Sequence, residues 1–179
     1  MKKLLPVTLL ILPGLSLATD LGIRISDDAV SLKAGSGINQ SNSSFDASWI
    51  HNDSKDRDVI NAGLYVNGDD SAGVHGRMGA KLYWGDVDFA DGYGMALGGQ
   101  VIFDLNYKLS LMADVYWGPG SLAFNDIDGY MEWSAGLGFE PFENGKISVG
   151  YKYLDLDTNT KEDVSVDNGL FLGMQLTFE

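Results

Sequence analysis

The 179-residue chain has no cysteine, four prolines, two histidines, and only 12 Lys and Arg against 25 Asp and Glu. The lack of cysteine excludes a disulfide framework, a thiolate metal site and a cysteine nucleophile. The net charge of −13 argues against nucleic acid as a partner, because phosphate backbones require a basic surface. The 23 glycines argue against a helical bundle, since glycine is unfavourable inside helices.

The first segment has the features of a secretory signal peptide. Two lysines precede an apolar run over residues 4–17, and the small residues Ser16 and Ala18 suit the −3 and −1 positions of a cleavage site. The run is shorter than the roughly 20 residues that a spanning helix needs, and it contains two prolines. We therefore predict a signal peptide over residues 1–18, cleaved after Ala18, and one domain over residues 19–179.

From Leu21 onward, apolar residues recur at every second position, which predicts β-strands. In the last segment, Leu172 and Met174 share one face, while Gly173 and Gln175 share the other. Ten segments can be assigned a register in which the apolar face carries no Asp, Glu, Lys or Arg. Their opposite face carries the charged residues Arg24, Lys33, Asp46, Arg77, Lys81, Asp104, Lys108, Asp114, Glu132 and Lys152.

Two packings fit this alternation. A soluble sandwich or lipocalin-like barrel would bury the apolar face, whereas a membrane barrel would turn that face to lipid and the polar face to the lumen. The polar face is rich in Gly, Ser and Ala, and the segments approach the 9–11 residues of a tilted spanning strand. Both features favour the membrane barrel.

Aromatic residues near the segment ends favour the same packing. With strands running alternately up and down, one rim carries Trp49, Trp84, Trp117, Trp133 and Tyr153, and the other carries Phe103, Phe139 and Phe178. Two such girdles are typical of membrane interfaces. We predict an all-β, antiparallel up-and-down transmembrane β-barrel of about ten strands, with eight strands as the alternative if the N-terminal stretch is irregular.

The connections are predicted to be alternately long and short: 156–167, 140–145, 118–128, 104–107 and 85–91, read back from the C-terminus. Because outer loops of such barrels are longer than periplasmic turns, this pattern places both termini on the periplasmic side. The long connections are acidic, and hard cations prefer oxygen ligands. We expect weak divalent-cation binding at a set of surface carboxylates, namely Asp86, Asp88, Asp91, Asp157 and Asp163.

The charged face defines the predicted lumen. In a barrel of eight or ten strands, side chains nearly fill the interior. The ten charged residues then form either an interlocked salt-bridge plug or the lining of a narrow polar pore. We favour the plug, because long Arg, Lys and Tyr side chains occlude a small lumen and buried ions require partners.

No catalytic, cofactor or metal-binding set is predicted. The two histidines lack the spacing of metal motifs. His51, Asp70 and Ser71 are the residue types of a barrel acyltransferase, but the topology puts His51 at the opposite end from the other two. We predict that the protein is not an enzyme.

Three motifs support a resemblance to a known family: residues 49–53 after an alternating strand, the strand at 150–156, and the segment 169–178. With these, essentially the whole chain resembles the YfaZ-like family of small outer-membrane proteins. The resemblance implies a bacterial outer-membrane barrel without catalytic residues to carry over. One departure is that Glu179 follows Phe178, where such barrels usually end on an aromatic residue.

These observations set the functional expectations. We expect a monomer with a structural or surface-interaction role and a plugged lumen. A narrow porin-like channel is the alternative, and an outer-membrane lipid-modifying enzyme ranks third. The expected partners are outer-membrane lipids, including lipopolysaccharide, and the barrel-assembly machinery during biogenesis.

Overall fold

The computed structural model describes residues 20–36, 42–68, 72–88, 90–159 and 163–178. The predicted signal peptide lies outside the described residues. The strands are β1 (Asp20–Ser26), β2 (Ala29–Gly35), β3 (Ser43–Asn52), β4 (Arg57–Asn67), β5 (Val74–Val87), β6 (Ala90–Asp104), β7 (Leu109–Gly118), β8 (Ala123–Asn125), β9 (Ile127–Phe142), β10 (Gly145–Thr158) and β11 (Asp163–Thr177). Within the described ranges, no helix is long and apolar enough to cross a membrane.

Ten of the strands form a closed antiparallel barrel. The order is β5-β4-β3-β2-β1-β11-β10-β9-β7-β6, and the pairing of β5 with β6 closes it. The three-residue β8 lies outside this ring and pairs only with Gly92–Gly94 of β6. The short strand β1 is a full member, since Leu21 pairs with Ala34 of β2 and Ile23 pairs with Met174 of β11. The predicted ten-stranded barrel is confirmed, and the eight-stranded alternative is wrong.

The apolar track of every barrel strand faces outward. Leu64, Met78, Leu82 and Leu170 are each more than 60 % exposed, whereas Glu132 on the other track is 4 % exposed. A soluble sandwich or lipocalin-like barrel would show the reverse. The inverted arrangement predicted from the alternation is therefore the observed one.

The barrel has two distinct ends. We call the end that holds Asp20 and Phe178 the proximal end, and the opposite one the distal end. Beyond the row of tryptophans near the distal end, the polarity of the strands reverses. On β10, Lys152 faces inward and Tyr153 outward, but the next positions place Leu154 inward and Asp155 outward. The distal extension, meaning the strand ends beyond this row, therefore has an apolar interior and an acidic exterior.

The distal extension corrects two of the predicted connections. Residues 85–91 are mostly strand, because β5 continues to Val87 and β6 begins at Ala90. Residues 156–167 are also largely strand, since β10 continues to Thr158 and β11 begins at Asp163. The prediction required an outward face free of charge, but an outward carboxylate is compatible with a strand that has left the apolar part of the barrel surface.

A two-part lumen as the candidate functional site

The distal lumen is filled by a compact apolar cluster. Eight side chains, each at most 7 % exposed, form what we call the distal plug: Ile50, Val59, Val87, Ile127, Leu154, Leu156, Val164 and Val166. The packing is close enough that a Cβ atom added at Gly85 would lie 2.7 Å from Cδ1 of Leu156. No sequence prediction included this plug.

Contacts across the barrel hold the distal plug. The hairpin of β1 and β2 is shorter than its neighbours, so β3 and β4 reach β11 directly beyond it. Asn52 on β3 donates from Nδ2 to the carbonyl oxygen of Val166 at 2.8 Å. Arg57 on β4 donates to the carbonyl oxygen of Ser165 and to the carboxylate of Asp88. The distal end is therefore closed by backbone-anchored polar contacts as well as by apolar packing.

Four tyrosine rings lie in the lumen on the proximal side of the distal plug. Tyr83 stacks on Tyr130 with ring centroids 4.5 Å apart, and Tyr65 meets Tyr116 edge to face at 6.1 Å. Glycines provide the space for these rings: a Cβ atom at Gly98 would lie 2.6 Å from Cδ1 of Tyr116. We call the stacked rings of Tyr83 and Tyr130, which lie next to the distal plug, the tyrosine layer.

Below the tyrosine layer, two lysines converge on one carboxylate. Lys81 Nζ lies 2.5 Å from Glu132 Oε2, and Lys152 Nζ lies 3.1 Å from Glu132 Oε1. The Tyr130 hydroxyl also donates to Glu132 at 2.6 Å. All three ionised groups are buried, and Lys81 additionally lies 3.6 Å from the centroid of the Tyr116 ring.

A second triad lies closer to the proximal end. Asp46 Oδ2 is 2.8 Å from both Lys33 Nζ and Arg77 Nη2. The Tyr65 hydroxyl donates to Asp46 Oδ1 at 2.9 Å, while the Arg77 guanidinium lies 4.1 Å from the Tyr65 ring centroid. Six of the ten predicted lumen charges are thus gathered into two triads, each with two cations and one carboxylate.

The other four predicted lumen charges are placed differently. Arg24 lies over the ring of Phe171 at 4.2 Å, and Asp114 accepts a hydrogen bond from Ser134. Asp104 pairs with His75 Nε2 at 2.7 Å near the proximal mouth. Lys108 lies one residue before β7, 5.7 Å from the centroid of its neighbouring tyrosine ring, and it lines the larger lumen cavity described next.

The proximal half of the lumen contains open space. A cavity of about 420 Å³ extends from Tyr107 and Glu143 at the mouth to Arg77 and Asp46. A second cavity of about 90 Å³ shares much of this lining and reaches Lys81, Glu132 and Lys152. The lumen therefore has two parts, an open and charged proximal part and a filled, apolar distal part.

The predicted surface carboxylates form pairs on strands rather than a cluster in loops. Asp86 stands opposite Asp91 across the β5–β6 pairing, and Asp157 stands opposite Asp163 across the β10–β11 pairing. Asp88 is already engaged by Arg57. Weak cation binding by these carboxylates stays a prediction.

One distal group that the sequence reasoning missed contains a histidine. One ligand atom each from His51, Asp56 and Asp58 lies within 4.8 Å of the others. His51 Nδ1 is 3.1 Å from Asp58 Oδ1, which also accepts a hydrogen bond from Trp49 Nε1. The strand register puts His51 opposite Asp58, a pairing that the sequence pattern alone did not identify. Asp70 and Ser71, weighed above with His51, lie outside the described residues.

The aromatic residues of the predicted girdles occupy two outward rows. In the distal row, Trp84 pairs with Tyr93, and Trp133 stacks on Tyr151 and Tyr153 with centroids 5.6 and 5.9 Å apart. The full set of predicted girdle residues is Trp49, Trp84, Trp117, Trp133 and Tyr153 in the distal row, and Phe103, Phe139 and Phe178 in the proximal row. Their contact with lipid interfaces stays a prediction.

On the proximal side of the distal extension, the closed antiparallel barrel has an apolar exterior and a polar interior. This is the architecture of outer-membrane β-barrel proteins. The model of one protein family, described as YfaZ precursor, matches residues 2–178. The chain belongs to this family, which confirms the resemblance seen in the sequence. The outer membrane protein YfaZ of Escherichia coli (strain K12) is 28 % identical over 146 residues, covering 80 % of this chain and 79 % of that protein.

The protein is therefore located in the outer membrane, as predicted. The word precursor in the family description agrees with an exported chain that carries a signal peptide. Cleavage after Ala18 stays a prediction.

Two solved structures have a similar overall shape. The outer membrane channel DcaP of Acinetobacter baumannii matches with a TM-score of 0.47 and 11 % identity over 88 % of this chain. The match covers 54 % of DcaP, so this chain spans about half of its length. The KdgM porin in complex with disordered oligogalacturonate matches with a TM-score of 0.49 and 10 % identity, over 90 % of this chain and 99 % of that one. No conclusion about this chain rests on either likeness.

Proposed function

We propose that the protein is a non-conducting outer-membrane barrel with a structural or surface-interaction role. The observation that carries this proposal is the distal plug. A water-filled pore needs a polar lining along its whole length, whereas these side chains leave the distal lumen apolar and close-packed. Ions that entered from the proximal end would meet the two charged triads, then the tyrosine layer, and then the distal plug.

The distal extension is the part that would act at the cell surface. With both termini on the periplasmic side, it projects outward above the lipid as a continuous, internally packed barrel rather than as separate loops. Its paired carboxylates, such as Asp86 with Asp91, face outward. Divalent cations would bridge them to anionic headgroups such as those of lipopolysaccharide, because hard cations bind carboxylate and phosphate oxygens.

The ionisable side chains of the described residues support a structural role rather than a catalytic one. The most buried ionisable groups, including Glu132 and Asp46, are held by cations and tyrosine hydroxyls. A lipid-modifying enzyme would need a general base. His51, the residue considered for that role, lies at the distal surface beside carboxylates. A structural role therefore has more support than a lipid-modifying one.

Conductance in a planar bilayer tests the proposal. We expect refolded wild-type protein to show no unit conductance over a wide voltage range. Replacing three fully buried plug residues together (Leu154→Ser, Leu156→Ser and Val166→Ser) should open the lumen and produce discrete current steps.

The alternative, a narrow porin-like channel, makes the opposite prediction. Steady unit conductance of the wild type, with an ion preference that Lys81→Glu reverses, would refute the proposal and establish the channel. Lys55→Glu is the matched control, because Lys55 lies exposed in the distal connection between β3 and β4, away from the lumen. Protein that migrates faster on an unheated gel than on a boiled one confirms that each variant is folded.

A further inference from the structure

The inner cavity of the lumen holds more cations than acids, whereas the larger cavity is lined by five Lys and Arg side chains and six carboxylates. The inner cavity is lined by five cationic side chains, Arg24, Lys33, Arg77, Lys81 and Lys152, and by three carboxylates, Asp46, Asp114 and Glu132. With all of these groups ionised, the described lining has an excess of two positive charges. Uncompensated charge is costly inside a barrel surrounded by lipid. The lumen is therefore set up to take in negative charge.

The two triads explain how the excess arises. Each triad places two cations on a single carboxylate: Lys33 and Arg77 share Asp46, and Lys81 and Lys152 share Glu132. Every triad thus keeps one positive charge that its own carboxylate does not neutralise. Nearer the mouth, Lys146 pairs with Glu140 at 2.9 Å, one cation with one carboxylate.

Two buried donors in the lumen also point to a ligand. The Arg77 Nε–H group and the Ser110 hydroxyl have no hydrogen-bond partner among the described residues, although Arg77 is 8 % and Ser110 is 3 % exposed. Both residues line the larger cavity. A buried donor without a partner loses free energy that a bound acceptor would restore.

The donor types identify the class of ligand. Gln100 and Gln175 line both cavities and add amide N–H donors to the guanidinium, ammonium and hydroxyl groups. A planar guanidinium matches the oxygens of a carboxylate or phosphate, and charge-assisted hydrogen bonds are the strong ones. The inner cavity, which carries the charge excess, has a volume of about 90 Å³ and takes only a small group, and it shares much of its lining with the larger cavity of about 420 Å³.

We infer that the proximal lumen is a binding site for a small oxyanion, a molecule that carries a carboxylate or phosphate group, which enters from the proximal end. The site lies between the proximal mouth and the tyrosine layer. It does not depend on the distal plug: in a sealed barrel it is a pocket with one entrance, and in a conducting barrel it would be a constriction. The conductance experiment described above therefore neither supports nor refutes this inference, which needs a test of its own.

Calorimetric titration of the refolded mature protein in an uncharged detergent provides that test. The probes are inorganic phosphate and acetate. The chloride concentration is kept constant, so that specific binding of an oxyanion is distinguished from binding of any anion. We expect saturable binding of one anion per barrel. Comparing the two probes shows whether phosphate or carboxylate oxygens are preferred.

Three variants locate the binding. Lys33→Gln lowers the excess charge by one and should weaken binding about tenfold or more, the usual effect of losing one charge-assisted hydrogen bond. Its side chain is 47 % exposed, so the replacement is compatible with folding. Asp114→Asn raises the excess by one and should tighten binding. Lys55→Gln removes a distal surface charge and should leave the affinity unchanged.

Opposite outcomes would overturn the inference. They are the absence of saturable binding to the wild type, or equal affinities of the wild type and Lys33→Gln. Ser110→Ala supplies a second measurement that leaves every charge in place. We expect severalfold weaker binding, and an unchanged affinity would remove the buried hydroxyl from the site. Unheated gel migration again verifies that each variant is folded.

Discussion

Glu132 is the carboxylate whose removal should disturb the barrel most. Its two oxygens lie 2.5 Å from Lys81 Nζ and 3.1 Å from Lys152 Nζ. At an effective dielectric constant of about 20, these distances correspond to attractions of about 7 and about 5 kcal/mol. The cost of removing each ion from water, several kcal/mol, offsets most of this. The triad therefore contributes little net stability while it is complete.

The variant Glu132→Gln breaks that balance. It removes both attractions and leaves two buried ammonium groups without a carboxylate, so we expect the free energy of unfolding to fall by about 3–5 kcal/mol. The measurement is equilibrium unfolding in urea of protein folded into lipid vesicles. Adding Lys152→Gln to Glu132→Gln should recover part of the loss, because one uncompensated charge is then gone.

Glu140→Gln is the matched control for this substitution. Glu140 pairs with Lys146 at 2.9 Å but is 42 % exposed, so its loss should cost about 1 kcal/mol or less. Similar effects of Glu132→Gln and Glu140→Gln would refute the reasoning, because they would mean that water solvates the triad. A double variant as unstable as Glu132→Gln alone would refute it as well.

Three further predictions concern the outer surface. Leu97→Arg, at an outward position that is 53 % exposed, should cost about 2–4 kcal/mol in vesicle unfolding if it lies near the middle of the membrane; a change below about 1 kcal/mol would contradict that placement. Burial, together with the facing carboxylate of Asp163, raises the pKa of Asp157, which lies beyond the membrane-spanning part of β10. The folded state then binds this proton more readily than the unfolded state, so ionised Asp157 costs stability at neutral pH and the cost disappears as the pH falls through the raised pKa. Asp157→Asn should therefore stabilise the barrel at pH 7 and have no effect at low pH, as a series of urea transitions would show; a gain independent of pH would contradict this. Calcium titration should show weak binding that Asp86→Asn with Asp91→Asn reduces, whereas tight saturable binding would reveal a defined site instead.

The alternation of the sequence determined most of the fold. Apolar residues at every second position fix which side chains face outward, because successive residues of a strand point to opposite faces. Even the short strand β1 could be identified in this way, since Leu21 and Ile23 share the apolar phase. Lys81, Glu132 and Lys152 were placed in the lumen by the same argument, and the structure buries all three.

The polarity reversal could not be predicted by the rule that found the strands. That rule required an outward face free of charge, so it assigned residues 156–167 to a connection. Only the closed barrel shows that Leu154 and Leu156 face inward, as Lys152 does. There they pack with Ile127 and Val59 in the distal plug. Such contacts depend on how far apart two strands lie around the closed barrel. Alternation along one strand does not encode that distance.

The sequence by itself determined the membrane barrel and most of the charged residues that line its proximal lumen, and it favoured ten strands, because each follows from periodicity along the chain. The tertiary structure alone decided how those lumen residues combine. Lys33 and Arg77 share Asp46, while Lys81 and Lys152 share Glu132, whereas the sequence predicted only an interlocked salt-bridge plug without its pairings. Pairing depends on which side chains meet across the interior, and closure of the barrel brings together residues as far apart in the chain as positions 81 and 132.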